Sequence, residues 1–148
     1  MRKRFSRPVV AAIDESRILG IRAGAASGHR FVGIWAIVVE GRVISRSSSQ
    51  KPGGWYRTFL EDPLGTIQVG AWQIPIRVVP VRSERLRDAV EQAYAKKYPT
   101  PGSLEYVRGF RTSRRRDTTI EFLPRRTSER RSRDRGAAEW ETGKEEQR

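Results

Sequence analysis

The sequence has no cysteine, one histidine, one methionine and no long apolar run. Each absence removes a class of chemistry. Without cysteine there are no disulfides, thiolate metal sites or cysteine nucleophiles. The lone histidine, His29, excludes multi-histidine metal sites and leaves a serine, histidine and aspartate triad without a supporting motif; it reads as a turn residue, and no metal is expected. Neither terminus carries the apolar stretch of a signal peptide or membrane span, so the expectation is a soluble, cytoplasmic protein with no membrane partner. Acidic residues occur as the adjacent pairs Asp14, Glu15 and Glu61, Asp62. Neighbours in sequence do not converge on one substrate, and Asp62 before Pro63 reads as a helix stop. No residue is thereby marked as catalytic.

Positive charge is what the chain has in excess, at +13 over 148 residues. The excess lies in the body, with 22 basic against 11 acidic residues in 1–123 and 8 against 6 in 124–148. Such a surface attracts anions of any kind, from nucleic acid to phosphorylated small molecules. Arginine supplies most of it, which genomic base composition explains as well as any partner does. An apolar fraction of 36% supports one core-bearing domain, with part of the chain left unpacked.

Residues 1–17 are polar and basic with a short apolar patch at 9–13, and read as an N-terminal arm or a helical turn. Residues 18–23 read as a strand and 24–29, GAASGH, as a turn. Residues 30–40, RFVGIWAIVVE, are β-branched and aromatic and pass through Gly41 into RVISRS, the pattern of an antiparallel hairpin. A second strand pair, 66–69 and 73–81, alternates apolar and polar around GAW, with Pro75 predicting an edge or a bulge. Ser83 caps a helix near 83–97 whose Leu86, Ala89, Val90, Ala93 and Tyr94 recur at three-and-four spacing, ended by KKYPTPG. A weaker helix at 103–110 and a closing strand at 118–123 complete a domain over 18–124. From 125 to 148, dense mixed charge around Trp140 cannot bury enough surface to offset ordering entropy, so a disordered tail is expected.

The stretch RSSSQKPGGWYRTFLEDP, residues 46–63, carries the candidate site. Ser47, Ser48 and Ser49 offer hydroxyl and amide donors, Lys51 a mobile charge, and Gly53 and Gly54 a backbone that comes close to a bulky group. A helix expected at 55–60 would turn its amino end toward the loop, with Arg46 and Arg57 on either side, so the whole reads as an anion cradle or as a solvated turn. Trp55, Tyr56, Phe59 and Leu60 read more readily as the buried face of that helix than as a ligand platform. The glycine spacing is neither that of a Walker loop nor that of a dinucleotide fingerprint.

The order of these elements, with GGWYRTFLEDP followed by TIQVGAWQIPIRVVPV and a helix ending AYAKKY, resembles the split β-barrel flavin-binding superfamily of pyridoxamine phosphate oxidase-like proteins and deazaflavin-dependent nitroreductases. FVGIWAIVVEGRVISRSSSQKPGGWYR is similar to a small bacterial family within it, a domain of unknown function. The resemblance implies an α+β, mainly β fold: a split β-barrel of about six antiparallel strands, with the short helix at 55–60 and the amphipathic helix near 83–97. It also implies that FMN or a deazaflavin coenzyme is held by Arg46, Ser47, Ser48, Lys51, Trp55, Tyr56 and Arg57, with Arg30 and Trp35 lining the same groove. A bound flavin would make the protein an oxidoreductase of an unidentified small molecule, and a homodimer is common among such proteins. Here Gln50 separates Ser49 from Lys51, and Arg57 and Thr58 stand where the nitroreductase pattern has other residues.

Two readings compete with the enzyme. One is a cofactor-free binding module for an anionic small molecule. The other is a non-specific nucleic-acid-binding protein using RGFRTSRRR at 108–116 and RRTSERRSRDR at 125–135, which carries less weight because aromatic residues there are limited to Phe110 and acids interrupt the tail.

Overall fold

The computed structural model describes residues 4–25, 30–47, 49–109, 112–125 and 130–131. His29 and Ser48 lie outside the described residues, as does nearly all of the expected tail. In chain order the elements are α1 (Arg7–Glu15), β1 (Leu19–Ala23), β2 (Val32–Ile34), β3 (Ala36–Val39), β4 (Arg42–Ser45), α2 (Trp55–Glu61), β5 (Leu64–Val69) and β6 (Trp72–Pro80). They continue as α3 (Glu84–Lys97), α4 (Pro101–Gly109), α5 (Ser113–Arg116), β7 (Ile120–Pro124) and β8 (Arg130–Arg131).

One antiparallel sheet runs β2-β1-β5-β6-β7-β4-β3, with β8 added to the side of β6. Its two ends, β2 and β3, are halves of a single run interrupted at Trp35. The first half pairs with β1, Leu19 opposite Ile34, and the second with β4, Ala36 opposite Ser45. The same stretch of chain therefore joins both ends, and the sheet becomes a nearly closed barrel. With the bent run counted as one strand the barrel has six, as the resemblance implies; the continuous strand expected over 30–40 is corrected to two by that bend.

Local chemistry explains the pairing. The β3–β4 hairpin turns through Glu40 at φ 55° and Gly41 at φ 75°, both left-handed, as a two-residue turn matching the strand twist requires. Pro75 does not sit on an edge, because β6 is paired on both sides. Counting back from the Val69–Trp72 pair that closes the β5–β6 turn, Thr66–Pro75 is a non-hydrogen-bonded pair, so no ladder donor is missed there. The Pro75 carbonyl accepts from Arg125 N at 3.0 Å on the opposite side.

Strand alternation divides the apolar residues between two cores. Ile21, Ala36, Val43, Ile67, Ile74, Ile76 and Phe122 point into the barrel with Trp55 and Phe59 of α2. Trp35, Ile37, Val39 and Ile44 point outward, where Leu86, Val90 and Tyr94 of α3, together with Tyr98 and Val107, cover them. Ser83 accepts from Leu86 N at 3.2 Å and caps α3 as expected. Of the arm or helical turn expected over 1–17, residues 7–15 form the helix α1, and Phe5, Val9 and Ile13 are buried in the barrel core.

Lys97 ties α1 to this frame by donating to the carbonyls of Ile13 at 3.1 Å and Ala36 at 2.7 Å. Burial disfavours its charge and brings its pKa down to about 8, against the opposing pull of Asp14. The unfolded chain then binds more protons than the fold between about pH 8 and the ordinary value of 10.5, so stability should rise across that interval. Melting temperature is expected to climb between pH 8 and 10 and to lose that climb in Lys97→Met. A fall over the same range in the unaltered protein would contradict the burial argument.

Candidate functional site

Arg46 leaves β4 two residues after Ile44 and so keeps its outward direction, beneath α3. It is fully buried. Its backbone N donates to the Tyr94 hydroxyl at 3.0 Å, Nε to Thr119 Oγ1 at 2.7 Å, Nη2 to the Arg87 carbonyl at 2.8 Å and Nη1 to Glu91 Oε2 at 3.2 Å. Burial lowers its pKa and Glu91 opposes the shift. The guanidinium expected to meet a ligand phosphate instead joins β4 to α3.

Ser47 is also enclosed. Its N donates to Thr118 Oγ1 at 2.9 Å, its hydroxyl donates to the Ser49 carbonyl, and Ser49 N donates back to Ser47 Oγ at 3.1 Å. These bonds fold the loop onto the segment before β7. Thr118 completes the clip by donating to the Arg115 carbonyl at 2.7 Å.

Beyond Ser49 the loop opens to solvent. Lys51 is exposed, and its carbonyl accepts from Gly54 N at 3.1 Å. Gly53 has φ 81°, the one backbone position here that needs glycine. Arg57, exposed on the first turn of α2, donates from Nη1 to the Gln50 carbonyl at 3.2 Å. Neither Lys51 nor Arg57 has an acidic partner among the described residues. Tyr56 is half-buried, its hydroxyl 3.3 Å from the Asp117 carbonyl, and burial raises its pKa.

The aromatic residues separate. Trp55 packs edge-on to Phe59 at 6.2 Å between centroids and belongs to the barrel core; its Nε1 is buried without a hydrogen-bond partner among the described residues. Trp35 faces the other layer, stacked on Tyr98 at 4.3 Å with Arg17 above it. Trp35 and Trp55 therefore lie on opposite faces of the barrel wall and do not line one groove. Arg30 is exposed ahead of β2. Lys51 and Arg57 are both exposed, with Arg57 reaching the carbonyl of Gln50, the residue before Lys51, while Tyr56 turns its hydroxyl to Asp117.

Sequence reasoning missed α5 and the charges behind it. Arg116 binds Glu91 closely, Glu84 Oε1 at 2.5 Å and Asp88 Oδ1 at 3.1 Å, while Arg87 meets Asp117 Oδ1 at 3.3 Å. This network fastens α5 to α3. It also occupies one of the arginines that a nucleic-acid reading of 108–116 would need. The signal was present in α3, where Glu84, Asp88 and Glu91 recur at helical spacing on one side.

A family model described as "Uncharacterized protein conserved in bacteria (DUF2255)" matches residues 9–122. The chain belongs to the DUF2255 family. No curated protein matches it. Among solved structures, this DUF2255 chain is similar to a candidate pyridoxamine 5'-phosphate oxidase from Listeria innocua, with a TM-score of 0.57 and 8% identity over 84% of this chain and 94% of that one. The conserved hypothetical protein Rv2991 from Mycobacterium tuberculosis is similar with a TM-score of 0.57 and 12% identity over 91% of each chain. A FAD-binding protein from Mesorhizobium loti aligns with a TM-score of 0.53 and 14% identity over 87% and 96%. At these identities the likeness establishes the split-barrel fold of the DUF2255 chain. Among its described residues no three His, Cys, Asp or Glu side chains group as metal ligands, and no helix is long and apolar enough to cross a membrane.

Proposed function

We propose that the protein binds a phosphorylated flavin-type cofactor, FMN or a deazaflavin coenzyme, with Lys51 and Arg57 meeting its phosphate. One observation carries this reading: two exposed cations, Lys51 on the loop and Arg57 on the first turn of α2, have no acidic partner among the described residues, while Arg46, Arg87 and Arg116 behind them are paired with acids. Phosphate binding draws on cations whose charge is not already taken by an acid, and the Arg57 side chain lies against the residue that precedes Lys51. Tyr56 and Leu60, four residues apart on one side of α2 and 61% exposed at Leu60, offer a flat apolar surface for a ring system beside it. The fold supports the same reading. When bound, a flavin supplies electron or hydride transfer, and the chain supplies orientation and charge, consistent with an oxidoreductase of a small molecule.

Titration with FMN, followed by flavin fluorescence, tests the assignment. The Lys51→Ala, Arg57→Ala double variant is expected to bind at least about 100-fold more weakly, from about 1.5–3 kcal/mol for each of the two charged contacts. Unchanged affinity in that variant would remove the site. A second reading, a cofactor-free module for an anionic small molecule, is favoured by the internal engagement of Arg46, Ser47, Trp35 and Trp55. It predicts that inorganic phosphate binds in a Lys51-dependent way and flavin does not.

A further inference from the structure

Gln50 lies where two segments meet. Its carbonyl accepts from Arg57, its side-chain amide donates to the Arg114 carbonyl at 3.4 Å, and Lys51 is the next residue. Arg114 is exposed and its side chain has no acidic partner among the described residues. Its neighbour Arg116 holds α5 on α3, so Arg114 is placed beside the loop without its own guanidinium taking part in that anchoring.

The backbone carbonyl of Arg114 and the side chain of Arg57 both meet Gln50, and Lys51 follows it in the chain; positive groups carried on adjoining segments repel one another, and the cost falls when an anion joins them. Lys51 and Arg57 already compensate one phosphate dianion. Arg114 comes from a different chain segment, α5, whose backbone meets the loop at Gln50. We propose that Arg114 is a third cation of this site and that the site takes a ligand of the diphosphate class, with two linked anionic groups. The inference rests on the reading that loop 49–57 binds phosphate, and among flavins it favours a diphosphate-containing form over FMN.

Calorimetric titration with sodium phosphate and sodium pyrophosphate at low ionic strength, on the full chain and on Arg114→Gln, tests it. The unaltered protein should bind pyrophosphate at least about tenfold more tightly than phosphate. Arg114→Gln, with an unchanged melting temperature, should keep phosphate affinity within about twofold while losing most of the pyrophosphate advantage. Equal affinities for the two anions in the unaltered protein, or equal weakening of both in the variant, would overturn the inference. A parallel FMN titration separates the two levels. FMN binding without a pyrophosphate advantage overturns only the role of Arg114, whereas no binding of FMN, phosphate or pyrophosphate overturns the functional reading with it.

Discussion

Replacing Glu91 with alanine is expected to lower the free energy of unfolding by about 3–5 kcal/mol, the cost of stripping the counter-charge from a buried ion. The Arg46 side chain is 0% exposed and Glu91 15%. Glu91 stands between two guanidiniums, at 3.2 Å from Arg46 and in close contact with Arg116. Without it the two positive groups face each other in a poorly solvated space, and the acceptors that Arg46 retains include the neutral Thr119 hydroxyl and Arg87 carbonyl, which do not balance its charge. Asp88→Ala is the control. That carboxylate also meets Arg116, but it is 67% exposed, and solvent screening limits its worth to about 0–1 kcal/mol. Urea unfolding of both variants measures the contrast; a loss below about 1 kcal/mol for Glu91→Ala would mean the Arg46 charge is solvated after all.

Removing residues 1–16 should abolish cooperative unfolding. An appended arm would be dispensable, but this segment gives Phe5, ahead of α1, and Val9 and Ile13 within it to the barrel core. At roughly 1.5–3 kcal/mol for each buried side chain the loss is about 5–9 kcal/mol, comparable with the whole stability of a domain of about 5–15 kcal/mol. Lys97 would also lose the Ile13 carbonyl. Circular dichroism on heating is the measurement. A sigmoidal transition in the truncated chain, within a few degrees of the full one, would show that α1 packs without contributing.

Much of the architecture was legible because its signals are local. The Gly41 turn, the Ser83 cap and the stripe of Leu86, Val90 and Tyr94 each encode a pattern at short range. The resemblance then supplied the barrel, which short-range patterns do not specify. Two things were hidden. The run over 30–40 has no breaker at Trp35; it bends because its halves pair with different strands, a long-range fact. Arg46 was misplaced by position in the chain alone. Its parity with Ile44, and that of Trp35 with Ile37 and Val39, directs both toward whatever covers the outer face. That this cover is α3, carrying Glu91, follows only from the assembled fold. Lys51 and Arg57 could be named from the donor-rich loop and the helix that follows it, but Glu61, one helical turn after Arg57, could have paired with it, and only the fold shows that neither cation has an acidic partner among the described residues.

The central claim is that loop 49–57 holds the phosphate of a flavin-type cofactor, and a crystal of the protein grown with FMN tests it most directly. The account predicts phosphate density within hydrogen-bonding distance of Lys51 Nζ and the Arg57 guanidinium, with Arg46 still bound to Glu91. Phosphate held anywhere else on the molecule, or no bound flavin at saturating concentration, would contradict it.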